Sequence, residues 1–143
     1  MENITADLII LGGGSAAFSA ALKADGLGAS SVIINGGLPT GVTCVNVGCV
    51  PSKTLLRAAD ALHRAANSPF DGIELRGKLK DFKAVIRQKR DMVESLRQAK
   101  YIDVIKDSPN IKLVEGRGKL ADSTTVSVNG ENISAAKVII ATG

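Results

Sequence analysis

The chain has 143 residues, 45% of them hydrophobic, with 18 Lys and Arg against 14 Asp and Glu for a formal net charge of +4. This is one domain's worth of sequence with enough apolar content for a moderate core, which excludes a disordered tail. With no Trp, one Tyr, three Phe and scattered basic residues, it lacks the basic stripe and aromatic platforms of a nucleic-acid surface, and its core must be built from Ala, Val, Ile and Leu, as in parallel sheets.

The opening "MENITADLIIL" has no basic stretch followed by a small-residue cleavage site, and Asp7 interrupts its apolar run. No segment approaches the roughly 18 to 20 apolar residues of a spanning helix. The reading is therefore a cytoplasmic protein with no membrane contact. From Asp7 the pattern predicts a strand to Leu11, a glycine cluster, a helix over Ser15 to Ala24 stopped by Gly26 and Gly28, and a second strand over Ser31 to Ile34. Gly12, Gly14 and Ala17 fit the G-x-G-x-x-A spacing of a dinucleotide-binding turn. The first glycine allows the tight turn, the second lets backbone approach a pyrophosphate, and the small third residue lets helix and strand pack closely. The phosphates would rest on the N–H groups around Ser15 and Ala16. One residue departs from the pattern. The second strand should end in Asp or Glu to hold the ribose, but here Asn35 follows "VII", offering one acceptor oxygen where a carboxylate offers two.

A glycine-rich loop from Asn35 to Val42 leads to "TCVNVGCVPSK", residues 43 to 53, which contains both cysteines of the chain, Cys44 and Cys49. In a reducing compartment such a pair is more often redox-active or metal-binding than a structural staple. Along an ideal helix their spacing rises about 7.5 Å, beyond the roughly 4.4 to 6.8 Å between Cα atoms that a disulfide tolerates. An irregular turn from Cys44 to Gly48, with a helix beginning near Cys49, would resolve this. Cys49 would then sit in the first helical turn, where free N–H groups favour a thiolate, and Cys44 would be freer to exchange with a substrate. Two separate buried cysteines remain an alternative. A zinc site is poorer, because the only histidine, His63, lies well along the following helix and reads as an exposed residue of it.

That helix, from Cys49 to about Asn67, carries Val50, Leu55, Leu56, Ala59, Leu62 and Ala66 at helical spacing, with Pro51 near its start. "SPFDG" breaks it, and a second helical pattern runs from about Asp81 to Ile105. Beyond "DSPN" the texture turns to strands, "IKLVEGRGKL", "TTVSV" and "KVIIATG", the last reading as a buried strand, with "VNGEN" a hairpin turn. The whole predicts an α/β, Rossmann-like domain with a central parallel sheet, flanking helices and a small antiparallel β-meander.

Taken together, "DLIILGGGSAA", "TCVNVGCVPSK" and "VIIATG" resemble the flavoprotein disulfide reductases over the whole chain, and Val45, Val50 and Ser52 fit the mercuric reductase branch best. The resemblance implies FAD on the glycine turn and electrons passing from NADPH to FAD, to a Cys44–Cys49 disulfide and on to Hg(II), which the two thiolates would hold transiently. It makes Cys49 the flavin-facing thiol and Cys44 the interchange thiol. Thr43 and Lys53 would lie beside the flavin, and Gly118 where backbone meets adenine. Residues 1–143 would be the first part of the FAD domain, with the NADPH-binding and dimerisation domains belonging to a homodimeric parent, and this chain alone would bind FAD weakly or not at all and be inactive. Val42 departs from the family's G-G-T-C and should strain the backbone there. Alternatives are a dihydrolipoamide dehydrogenase-like reductase and a dithiol module that binds mercury without turnover.

Overall fold

The computed structural model describes residues 4–143. Its elements in order are β1 (Ile4–Leu11), α1 (Ser15–Asp25), β2 (Ser31–Asn35), a π-helical turn (Thr43–Val47), α2 (Cys49–Ala66), α3 (Phe82–Arg97), a second π-helical turn (Gln98–Ile102), the short α4 (Asp103–Ile105), β3 (Ile111–Glu115), β4 (Lys119–Leu120), β5 (Thr125–Val128) and β6 (Glu131–Ile140). The strands form a six-stranded sheet in the order β3-β2-β1-β6-β5-β4. The first four run parallel, and β5 and β4 return antiparallel.

Continuous apolar runs place β1 and β2 in the centre, because a parallel strand covered on both faces must be apolar on both. On one face Ile10 and Ile33 pack with Ala17, Phe18 and Ala21 of α1 and with Tyr101 and Ile105. On the other, Ile9, Leu11, Val32 and Ile34 meet Val126, Val128, Ile133 and Ala135. The expected meander is thus not a separate sheet. Strand β6 pairs with β5 through its first half and with β1 along nearly its whole length, so the meander curls over the second face of the sheet it belongs to. The "VNGEN" hairpin is as expected, with Asn129 and Gly130 at φ 52° and 84°, the pair of positive values that a two-residue turn of this hand requires.

Two expectations need correction. The helix read from Asp81 to Ile105 is not continuous. It widens into a π turn at Gln98–Ile102, where Tyr101 meets Phe18 edge-on at 5.0 Å between ring centroids. One extra residue in that turn rotates Tyr101 and Ile105 toward the core, a shift that helical periodicity does not register. Nor is the run ending β6 buried, since Ile139 and Ile140 are 38% and 64% exposed. Among the described residues the covering layers stop short of that end of the strand.

Candidate active site

The strands β1, β2 and β6 end together. Gly12 N–H donates to the Ile34 carbonyl at 2.9 Å, and Ala141 N–H donates to the Leu11 carbonyl at 2.7 Å. A Cβ on Gly12, which has φ 129°, would lie 2.0 Å from the Ala141 oxygen, so the junction admits only glycine. The chain leaves β1 toward β2 on one side and comes back to β1 as β6 on the other. This is the switch point outside the strand ends where open α/β sheets take ligands. Helix α1 starts here at Ser15, with Gly14 before it, no capping side chain and no acid in its first turn, leaving its N–H groups to an anion.

Two cavities flank this turn. One, of about 550 Å³, is lined by Gly12, Gly13, Asn35, Arg117 and Gly118 among others. The other, of about 510 Å³, is lined by Gly14, Ser15, Ala16, Thr43 and Cys44. Val42 and Thr142 line both and form the neck between them. The predicted residues Gly12, Asn35 and Gly118 thus gather on one side, and Gly14, Ser15, Ala16, Thr43 and Cys44 on the other. Ala17 lines neither, being fully buried on the sheet-facing side of α1 as the small packing residue of the motif. Cys49 and Lys53 line a separate groove between α2 and α3, so the structure does not bring them into the glycine-turn cavities.

Asn35 is held rather than free. Its Nδ2 donates to the Leu38 carbonyl at 3.1 Å and to Glu115 Oε2 at 3.0 Å. A flipped amide would set oxygen against both acceptors, so the orientation is fixed, with Oδ1 turned toward Gly13. Thr40 Oγ1 donates to Glu115 Oε1 at 3.4 Å. Sequence reading missed Glu115, which reaches Asn35 only because β3 pairs in register with β2.

The expected irregular turn between the cysteines is the π-helical turn Thr43–Val47, closed by Gly48 before α2 begins at Cys49. Both thiols are free and exposed, which excludes the alternative of two buried cysteines. The hydrogen bond to the Cys49 side chain, reinforced by desolvation and by the Cys49 charge, pushes the Cys44 thiol above the ordinary thiol pKa. The pair therefore meets, as straight α-helix would not allow. Asn46, unassigned from sequence although it sits between the cysteines, ties the turn down: its Nδ2 donates to the carbonyls of Pro39, Thr40 and Val42 at 2.8, 3.2 and 2.9 Å. Arg97 Nη1 in turn donates to Asn46 Oδ1 at 3.2 Å, a partner 51 positions away that no local signal could reveal. The strain expected at Val42 is present, with φ 44° on a β-branched residue.

His63 lies on the exposed surface of α2 near Asn67. Among the described residues no three His, Cys, Asp or Glu side chains gather to hold a metal ion, and no helix is long and apolar enough to cross a membrane.

A glycine turn at the switch point of a parallel sheet, with an uncapped helix head beside it, has the form of a dinucleotide-binding α/β domain, and two exposed thiols lie close by in the chain before and at the head of the next helix. Residues 6–143 match the model of the pyridine nucleotide-disulphide oxidoreductase family, and the chain belongs to that family. Among curated relatives, the mercuric reductase of Lysinibacillus sphaericus is 47% identical over 137 residues, 96% of this chain and 25% of that enzyme. That of Bacillus cereus is 45% identical over 141 residues, 99% of this chain and 22% of the enzyme. The chain thus spans about a quarter of the length of these relatives. Among solved structures, the HOCl-induced flavoprotein disulfide reductase RclA from Escherichia coli superimposes with a TM-score of 0.78 at 27% identity, over 96% of this chain and 28% of that one. The fold and family are those of an FAD-binding oxidoreductase domain.

Proposed function

We propose that the chain is the FAD-binding, redox-disulfide part of an NADPH-dependent, mercuric reductase-like oxidoreductase that works in the cytoplasm as a homodimer and passes electrons through Cys44 and Cys49 to Hg(II). The observation that carries the reading is that Thr43 and Cys44 share a cavity with the head of α1, so the Cys44 thiol borders the glycine turn. The two-part cavity suits an extended dinucleotide. Gly12 and Gly14 present bare backbone, the Ser15 and Ala16 N–H groups face the phosphate position, Asn35 Oδ1 accepts from a ribose hydroxyl, and Gly118 admits the adenine. Thr43 and Lys53 match the residues beside the ring. When bound, FAD supplies two-electron transfer between a nicotinamide and the disulfide. The reduced cysteines bind Hg(II) through sulfur as soft thiolate ligands, each thiol giving up its proton to solvent as it does so.

The motif makes Cys49 the flavin-facing thiol, whereas the cavity lining favours Cys44. Single alanine variants of the full-length enzyme separate the two. Cys44→Ala and Cys49→Ala should each abolish NADPH-dependent Hg(II) reduction, because both sulfurs are needed to carry two electrons onward. Only the variant that keeps the flavin-facing thiol should retain the long-wavelength absorbance of a thiolate beside the flavin. On the motif assignment that is Cys44→Ala, and retention by Cys49→Ala instead would exchange the roles. Near-normal Hg(II) reduction by Cys44→Ala would overturn the proposal.

A further inference from the structure

We propose that Arg97 is a positioning residue for the thiol pair: acting through Asn46, it holds the π-helical turn in the shape that brings Cys44 to Cys49 and so favours their disulfide over the open dithiol. The inference rests on the reading of the pair as a redox disulfide and adds what sets its reduction potential.

The backbone enters the turn loosely, with the Val45 N–H reaching the Gly41 carbonyl at 3.4 Å. Its two ends nevertheless lie against each other. A Cβ on Gly48 would stand 2.9 Å from the Thr43 oxygen and 3.4 Å from the Cys44 Cα. Asn46, between the cysteines, supplies the anchor by sharing two amide hydrogens among the Pro39, Thr40 and Val42 carbonyls. That loop is itself fastened to the glycine turn, since Gly41 N–H donates to the Gly13 carbonyl at 2.8 Å.

Arg97 sets the orientation of the anchor. A guanidinium only donates, so it admits one arrangement of the amide, with Oδ1 toward Arg97 and Nδ2 toward the carbonyls. While Nη1 donates to Asn46, Nη2 meets Glu94 Oε2 at 2.6 Å, and the Arg97 side chain is only 24% exposed. Arg97 is also the last residue of α3, directly before the π turn whose Tyr101 packs on Phe18. The planar fork thus ties the cysteine turn to the core, which a point-like ammonium would do less well.

Closing a disulfide costs less freedom when the turn is already held, so losing the anchor should favour the dithiol. The charge on Arg97 acts the other way, because a nearby cation favours thiolates and hence the reduced form. The sign of the effect therefore separates positioning from simple electrostatics.

The test equilibrates the full chain with a series of thiol–disulfide buffers, in which Cys44 and Cys49 together give two electrons and two protons to the reagent's disulfide. The oxidised fraction is read by mass after acid quenching and alkylation of the remaining thiols. Arg97→Ala should lower the equilibrium constant for disulfide formation about tenfold, which is about 30 mV for a two-electron couple and of the order that one hydrogen bond from a charged donor contributes. Arg97→Lys should lower it less. Asn46→Ala should lower it at least as far as Arg97→Ala, and combining the two should lower it no further, because Arg97 acts through Asn46. A constant that is unchanged or raised in Arg97→Ala, or losses that add in the double variant, would overturn the inference and leave the disulfide reading in place. Should Arg97→Ala fail to fold, Arg97→Lys carries the test, and an unchanged constant there overturns it equally. A wild-type chain that forms no Cys44–Cys49 disulfide in any buffer would remove the disulfide reading and this inference with it.

Discussion

The Cys44 thiol is held above its ordinary pKa, first by the hydrogen bond to the Cys49 side chain, then by desolvation and by the charge on Cys49. A raised thiol pKa means less thiolate at any pH below it, and the thiolate is the nucleophile. Cys44 in the reduced protein should therefore alkylate slowly near neutral pH. Cys49→Ala removes the first and third of these causes, so the pH at which Cys44 alkylation by iodoacetamide reaches half its maximal rate should move down, and the rate at pH 7 should rise. A profile that stays in place or moves up would mean that the pairing does not set the titration. The pair itself was legible in the sequence because its signal is local, two cysteines with a glycine between them and a proline after. The clasp of Asn35 on Glu115 was not, because only the register of β2 against β3 brings residues 80 positions apart together.

Among the connecting elements, the loop before the cysteines stores strain at an identifiable point. Val42 sits at φ 44° and ψ −132°, a region that suits glycine and that costs a β-branched residue on the order of 1 to 3 kcal/mol. Val42→Gly should relieve it, less the greater freedom that glycine gives the unfolded chain, for a net gain of about 1 kcal/mol. A urea midpoint that rises with an unchanged slope would show this, and a midpoint that falls would mean the loop depends on the valine side chain. The sequence revealed the departure from glycine, and with it the strain. It did not reveal the π turns at Thr43–Val47 and Gln98–Ile102, because over five residues an apolar pattern fits either helix width equally well. What it offered instead was the steric misfit of the two cysteines on a straight helix, and that misfit is what the first π turn resolves.

At the scale of the whole molecule, stability is unevenly spread. The sheet centre is closed on both faces, but in α2 only Pro51 is buried and in α3 nothing is, while Leu56, Phe82 and Met92 stand 60%, 59% and 44% exposed. The apolar spacing that predicted these helices was real, yet periodicity reports that a face exists and not that anything covers it. Amide hydrogen exchange followed by mass spectrometry should find β1, β2 and β6 protected longest, with α2 and α3 exchanging through local opening at least about tenfold faster. Uniform protection across sheet and helices would show instead that the molecule opens only as a unit. The pairing of β1 with β6 also governs the order of events at the ribosome. Strand β1 is flanked in the sheet by β2, close behind it in the chain, on one side and by β6, far later in the chain, on the other. Synthesis at roughly 5 to 20 residues per second keeps that second neighbour away for on the order of ten seconds. Until then the nascent chain shows an unclaimed apolar edge, so a chaperone or a slowed stretch of translation should matter most to this protein in that interval.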